Sequence, residues 1–194
     1  MPVEVDDELW EASVAGDASA FALLYDRHVS RVYRHACRLV RSRADAEDVT
    51  AATFLELWRR RADVRVCHHS VLPWLLVTAT NVSRNLTRSR LRYRRLLRRL
   101  PRPRDGTDVD AVAETALAGL GGNGYEPLLQ QALDRLSRDE LTLATLVMLE
   151  GYPVAEAAEA LGITTGAAKS RLHRIRSQVK ESLTASDAPE GVTP

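Results

Sequence analysis

The sequence predicts an all-α fold of two helical domains joined by a flexible linker, on three observations. Aromatic residues make up only 5% of the chain, while leucine, alanine and arginine are abundant, a mix that favours helices over sheets. Apolar residues recur at three- and four-residue spacing on both sides of residue 100, the pattern of helices with one buried face. Between those stretches residues 101–110 read PRPRDGTDVD, a linker composition. A length of 194 residues suits one medium domain or two small ones.

From Ala18 to Val40 the stripe consists of Phe21, Leu24, Tyr25, Val29, Val32, Tyr33, Ala36, Leu39 and Val40, with His28 as an amphipathic filler. Residues 41–44 interrupt it. A second helix is expected from about Asp45, with acids in its first turn where the helix dipole favours them. It runs through Phe54, Leu57 and Trp58 to about Arg60. Residues 61–70 have no period and predict a loop. Pro73 fits the first turns of a third helix that stops before Pro101. Ala111 to Leu120 predicts a weak helix, broken by Gly-Gly-Asn-Gly at 121–124.

A compact helical set follows. One helix is expected over about Glu126–Leu136. Ser137 with Glu140 three residues on spells a capping box for a helix reaching about Glu150, before Gly151. A short helix over about Val154–Leu161 is closed by Gly162 at the C′ position. A last helix starts near Thr164 or Thr165 and reaches about Leu183. The small, polar residues 185–194 predict a disordered tail. The domains are therefore expected at 1–98 and 126–184, with the linker at 99–125.

The net charge is only +1, but its distribution is uneven. Arg84 to Arg104 contains ten arginines and no acid; Asp105 to Glu126 contains five acids and no base. The basic block points to a nucleic-acid or other anionic partner. Cys37 and Cys67 form neither a CxxC pair nor a disulfide framework and fit a reducing cytoplasm. The start MPVEVDDELW lacks the basic and apolar parts of a signal peptide, and no apolar run has the length of a membrane span. A cytoplasmic location is expected. No phosphate-loop, dinucleotide, zinc-protease or nucleophile-elbow motif occurs, so no enzyme, cofactor or small-molecule substrate is expected. Cys67, His68 and His69 are metal-ligand types, but three adjacent residues cannot converge on one tetrahedral ion; no metal site is expected.

Three segments carry candidate binding residues. Two helices joined through Leu161-Gly162-Ile163-Thr164 match a helix-turn-helix. Ala157 and Ala158 are small enough for a close crossing, and the second helix carries Lys169, Arg171, His173, Arg174, Arg176 and Lys180 with no acid before Glu181. Ser170 and Arg171 lie near its start, where side chains reach base edges and phosphates. The helix from Pro73 carries Thr78, Thr80, Asn81, Ser83, Arg84, Asn85, Arg88 and Ser89, types that bond bases and phosphates. Trp74 reads as a core anchor or as a stacking platform for an exposed base. The third segment, Asp45 to Trp58, alternates acidic and apolar residues. It reads equally as a surface helix or as a docking face for a basic partner.

The run FALLYDRHVSRVYRHACRLVRSRADAEDVTAATFLELWRR (21–60) resembles the first part of region 2 of extracytoplasmic-function sigma factors. PWLLVTATNVSRNLTRSRLR (73–92) resembles the end of that region. LDRLSRDELTLATLVMLEGYPVAEAAEALGITTGAAKSRLHRIR (133–176) is similar to region 4. The resemblance implies a region 2 helical bundle, a region 4 helix-turn-helix and core RNA polymerase as partner. Asp45, Glu47, Asp48, Phe54 and Trp58 would face the β′ clamp helices. Asn81, Arg84, Asn85 and Arg88 would read and help open a −10 element. Region 4 would hold the β flap and place Thr165, Lys169, Ser170, Arg171 and Arg174 at a −35 major groove. The loop with Cys67, His68 and His69 would shape the −10 pocket, and an anti-sigma factor would silence the protein. Two departures stand out: Gly166-Ala167-Ala168 in place of Gly-Thr-Val, and Tyr152-Pro153 in place of Leu-Ser, with Pro153 expected at the first helical position. A stand-alone dimeric regulator would need a ligand or receiver domain, and the N-terminal half resembles neither.

Overall fold

The computed structural model describes residues 6–40, 42–67, 69–97 and 135–184. Helices α1 (Asp7–Val14), α2 (Ala18–Leu39), α3 (Arg43–Arg59) and α4 (Leu72–Leu97) belong to one unit. Helices α5 (Arg138–Ala144), α6 (Val154–Ala160) and α7 (Thr165–Thr184) belong to a second, with a π-helical turn, Thr145–Leu149, continuing α5. The expected linker, most of the expected helix over 126–136, and the C-terminal tail lie outside the described residues.

Local chemistry sets the helix starts. Asp17 caps α2, its carboxylate accepting from the Ser19 amide at 2.8 Å and the Ala20 amide at 3.2 Å. Ser42 caps α3 by accepting from the Asp45 amide at 3.3 Å, so this helix begins two residues before the expected Asp45. Asp45 thus sits at the third helical position. Such caps satisfy backbone donors that the helix itself cannot.

The first unit packs Leu24, Val32 and Ala36 of α2 against Ala46, Val49 and Leu57 of α3 and Leu72, Leu75, Leu76 and Ala79 of α4, all buried. Each large side chain removed from water contributes about 1.5–3 kcal/mol. In the second unit Leu141, Leu143 and Leu146 pack with Ala157, Ala158, Ala168, Leu172 and Ile175. The helix expected to run unbroken to Glu150 changes pitch at Thr145. The Glu150 amide donates to the Thr145 carbonyl five residues back at 3.0 Å. Leu146 stays buried, while Met148 and Leu149 turn outward.

Residues 7–14, to which the sequence assigns no element, form α1. Eight residues are too few to display a periodic stripe, and only Trp10 and Ser13 of α1 are buried. What anchors α1 is Asp6, whose side chain turns inward instead of capping the helix. Its Oδ1 accepts from Arg27 Nη1 at 2.8 Å. Its Oδ2 accepts from His28 Nε2 at 2.7 Å, the Ser70 hydroxyl at 2.9 Å and the Val71 amide at 3.0 Å. Its amide donates to the His69 carbonyl at 2.6 Å. Burial alone would raise the Asp6 pKa. The hydrogen bond and charge of His28, followed by the Val71 amide and Arg27, outweigh burial and hold the carboxyl below its usual range. His28 is therefore a buried polar partner, not an amphipathic filler. That role is invisible locally because Asp6 lies 22 residues away.

The loop before α4 is built on the same anchor. Cys67 and Ser70 exchange backbone hydrogen bonds at 3.2 and 3.1 Å. His69 takes the left-handed conformation, φ 57°, rarely adopted by side-chain-bearing residues, and its ring bonds Asp7. Ser70 also accepts from the Leu72 amide at 3.2 Å, so one hydroxyl links Asp6 to the first turn of α4.

His35 is the second buried histidine. The Thr80 hydroxyl donates to the Leu76 carbonyl at 3.0 Å, which makes Thr80 the acceptor for His35 Nε2, also at 3.0 Å. Nδ1 is buried and has no hydrogen-bond partner. Burial first, and the Arg38 charge second, push the His35 pKa down to about 3.

Asp6→Ala removes the buried carboxylate that His28, Ser70 and the Val71 amide bond and is expected to cost the first unit about 3–5 kcal/mol, measured by urea denaturation followed through tryptophan fluorescence. His35 gives a pH dependence of defined sign. Below pH 6.5 the unfolded chain takes up a proton that the folded chain refuses until about pH 3. Stability therefore falls through that window as pH drops, with a slope approaching one proton. His35→Gln should flatten the dependence between pH 6.5 and 4 in a denaturation series; an unchanged slope would refute the assignment.

Candidate functional site

Helix α4 presents Asn81, Asn85 and Arg88 exposed and Arg84 half-buried. Spacings of three and four place these residues on one face, and Arg84 Nη1 lies 3.5 Å from Asn81 Oδ1. The opposite face is committed to the fold: Thr80 and Ser83 are buried, Thr80 against His35 and Ser83 donating to the Thr80 carbonyl at 2.8 Å. These two leave the set of candidate base contacts, because hydroxyls one and two residues off the stripe point inward. Trp74 is half-buried. Arg92 and Tyr93, further along, are exposed.

The acidic helix α3 divides in the same way. Glu47 and Asp48 are exposed, and Arg43 donates to Glu47 at 3.1 Å. Asp45 is buried, and so is Phe54, which is 3% exposed and meets Tyr25 edge-on with ring centroids 4.7 Å apart. Of the five residues that the resemblance assigns to a partner face, Asp45 and Phe54 are buried in the first unit, and Glu47 and Asp48 are presented at its surface. Trp58 is half-buried. It meets Phe21 edge-on at 5.0 Å and lies 4.2 Å beneath the Arg61 guanidinium. Leu55, which the sequence analysis did not single out, is 57% exposed on the turn after Ala51 and Asp48. Its signal was a leucine one position off the apolar stripe.

In the second unit α6 and α7 form the expected helix-turn-helix. Gly162 joins them at φ 66°, where a glycine avoids the penalty of a side chain. Pro153 stands at the N-cap, one position before its expected place, and supplies no side-chain bond. Thr164 caps α7, its hydroxyl accepting from the Ala167 amide at 3.2 Å. Ala168, Leu172 and Ile175 are buried. Thr165, Lys169, Ser170 and Arg174 are exposed and Arg171 is half-buried. The Ser170 hydroxyl donates back to the Gly166 carbonyl at 3.1 Å, leaving its lone pairs to the outside. Of the small residues at 166–168 only Ala168 is buried; Gly166 is exposed, and a Cβ there would meet nothing within 4 Å.

The capping box at Ser137 has a second partner. Glu140 Oε2 accepts from the Ser137 amide at 3.0 Å and from its hydroxyl at 2.7 Å. Glu140 Oε1 accepts from Arg174 Nη2 at 3.1 Å. The Ser137 hydrogen bond, opposed by burial and aided by the charges of Arg174 and Arg171, holds the Glu140 carboxyl below its usual range.

Among the described residues no group of three or more His, Cys, Asp or Glu side chains is placed to hold a metal ion, and no helix is long and apolar enough to cross a membrane. Cys67 and His69 lie in the turn tied to α1; His68 lies outside the described residues.

Residues 24–95 match the family model for sigma-70 region 2, and residues 127–179 match that for sigma-70 region 4. The chain is 32% identical over 176 residues to the RNA polymerase sigma factor CarQ of Myxococcus xanthus, covering 87% of this chain and 91% of CarQ. It is 32% identical over 168 residues to the ECF RNA polymerase sigma factor BldN of Streptomyces coelicolor. That match takes in 86% of this chain but only 61% of the length of BldN. The fold resembles that of the sigma factor RpoE of Bartonella quintana, solved with the anti-sigma factor NepR. The TM-score is 0.61 at 20% identity, over 84% of this chain and 96% of that one.

Burial separates supporting residues from presented ones on α3. Phe54→Ala is expected to destabilise the first unit by about 3–5 kcal/mol, whereas Leu55→Ala should change stability by about 0.5 kcal/mol or less; both are read by chemical denaturation. Similar costs for the two would overturn this division of the helix.

Proposed function

The chain belongs to the extracytoplasmic-function RNA polymerase sigma factors of the sigma-70 family, and on that premise we propose that it binds core RNA polymerase and directs initiation at promoters read through a −10 and a −35 element. The observation that carries this reading is the pair of helices, one in each unit, that each bury one face and offer arginine with asparagine, serine or threonine on the other. Region 2 precedes region 4 in the chain, and each contains one of these helices.

The roles follow from side-chain chemistry. Asn81 and Asn85 have paired donors and acceptors suited to unstacked bases, and Arg84 and Arg88 hold the adjacent phosphates of the −10 element. On α7, Lys169 and Arg171 supply charge to the −35 backbone, and Thr165, Ser170 and Arg174 face the groove. Glu47 and Asp48, with Leu55 and Trp58, form the docking face for the basic clamp helices of β′; Asp45 and Phe54 support that face from inside. The second unit docks on the β flap. A masking protein, an anti-sigma factor, belongs to the same reading, and RpoE was solved with such a partner. The protein acts as a subunit that selects DNA, without chemistry of its own, in the cytoplasm where its polymerase works. We assign residues 1–98 to the first function, 126–184 to the second and 99–125 to the tether.

Run-off transcription with purified core polymerase on a pool of promoter fragments tests this. Transcripts dependent on the protein are expected, and Asp48→Arg should lower their yield and co-purification with core polymerase by about tenfold or more, since like charges at an interface cost several kcal/mol. Transcripts indifferent to the protein would favour a stand-alone DNA-binding regulator.

A further inference from the structure

Arg174 of α7 has a carboxylate fixed beside it, that of Glu140. Glu140 is not a loose surface acid. Both donors of Ser137, its amide and its hydroxyl, hold Oε2, and the Glu140 amide returns a bond to the Ser137 hydroxyl at 3.3 Å. The cap therefore determines where the carboxylate stands without help from Arg174, and the remaining oxygen, Oε1, is aimed at Arg174 Nη2. The Glu140 side chain is 20% exposed and that of Arg174 is 64% exposed. A guanidinium carries five donors in a rigid fork; Glu140 takes one nitrogen and leaves the rest of the fork at the surface.

We propose that Glu140 is a positioning residue that makes Arg174 a base-reading contact instead of a phosphate contact, an inference that rests on the reading of the second unit as promoter-binding. Two physical effects support it. An isolated arginine loses rotamer freedom when it docks, whereas one already held at Nη2 has lost part of that freedom in the unbound protein. The neighbouring carboxylate also cancels much of the charge that draws an arginine to phosphate. It leaves intact the directional donors that match the O6 and N7 acceptors of guanine. The preferred ligand of Arg174 is thus a guanine edge in the −35 major groove, with Lys169 and Arg171 left to the backbone.

The test uses holoenzyme assembled from the full chain and core polymerase. Its affinity is measured across a salt series for a promoter duplex mapped by run-off and for the same duplex with the −35 element scrambled. Glu140→Gln keeps a carbonyl for the Ser137 amide while removing the charge. It is expected to lower the ratio of promoter to scrambled affinity about tenfold. Affinity for the scrambled duplex should hold or rise, with a salt slope steeper by up to about one. Arg174→Ala should lower the ratio by a similar factor, and the double variant should lose little more. An unchanged ratio, fully additive losses, or an equal fall on both duplexes with a lower melting temperature would reduce Glu140 to a helix cap and overturn the proposal. A wild-type ratio near one would overturn the promoter reading itself, and this proposal with it.

Discussion

The first unit depends on one buried carboxylate. Asp6 gathers donors from α2 and from the residues leading into α4, with α1 as the element that delivers it. A buried charge is costly unless it is paired and hydrogen-bonded; here four donors meet two oxygens. The arrangement links elements far apart in sequence, so the loop before α4 cannot shift without exposing the anion to unmatched surroundings. Because Ser70 bridges Asp6 to the first turn of α4, the junction also fixes the start of the helix that carries Asn81, Arg84, Asn85 and Arg88. The strained backbone of His69 belongs to this loop. Its φ of 57° persists because the carbonyl bonds Asp6 and the ring bonds Asp7.

Helices α3, α4 and α7 each divide their residues between a buried face and a presented one. On α3, Phe54 and Leu57 build the core while Asp48 and Leu55 look outward. On α4, Thr80 seals against His35 while Asn81 and Asn85 face solvent. On α7, Ala168, Leu172 and Ile175 are buried under an outer row of Lys169, Ser170 and Arg174. Adjacent residues in a helix point about 100° apart. A single-residue step therefore separates a structural side chain from a presented one. The second unit adds a link between cap and surface, because Glu140, which completes the capping box of Ser137 at the start of α5, also accepts from an arginine of α7.

The helical class, the capping box at Ser137, the turn at Gly162 and the polar stripes are legible in the amino-acid order alone, because these rest on periodicity and on chemistry within four residues. So is the family, through motifs whose order and spacing are local features. Which members of each stripe are presented depends on how the helices pack. Phe54 and Asp45 turned inward because α2 and α4 cover that side of α3, and no one-dimensional pattern distinguishes a phenylalanine meeting Tyr25 from one awaiting a partner. α1 was hidden for the same reason. Its anchor is a carboxylate whose donors lie from 21 to 65 residues away, and the pairing of Glu140 with Arg174 spans 34. Hydrogen bonds of that reach are set by how the helices pack, and packing exists only once the chain has folded.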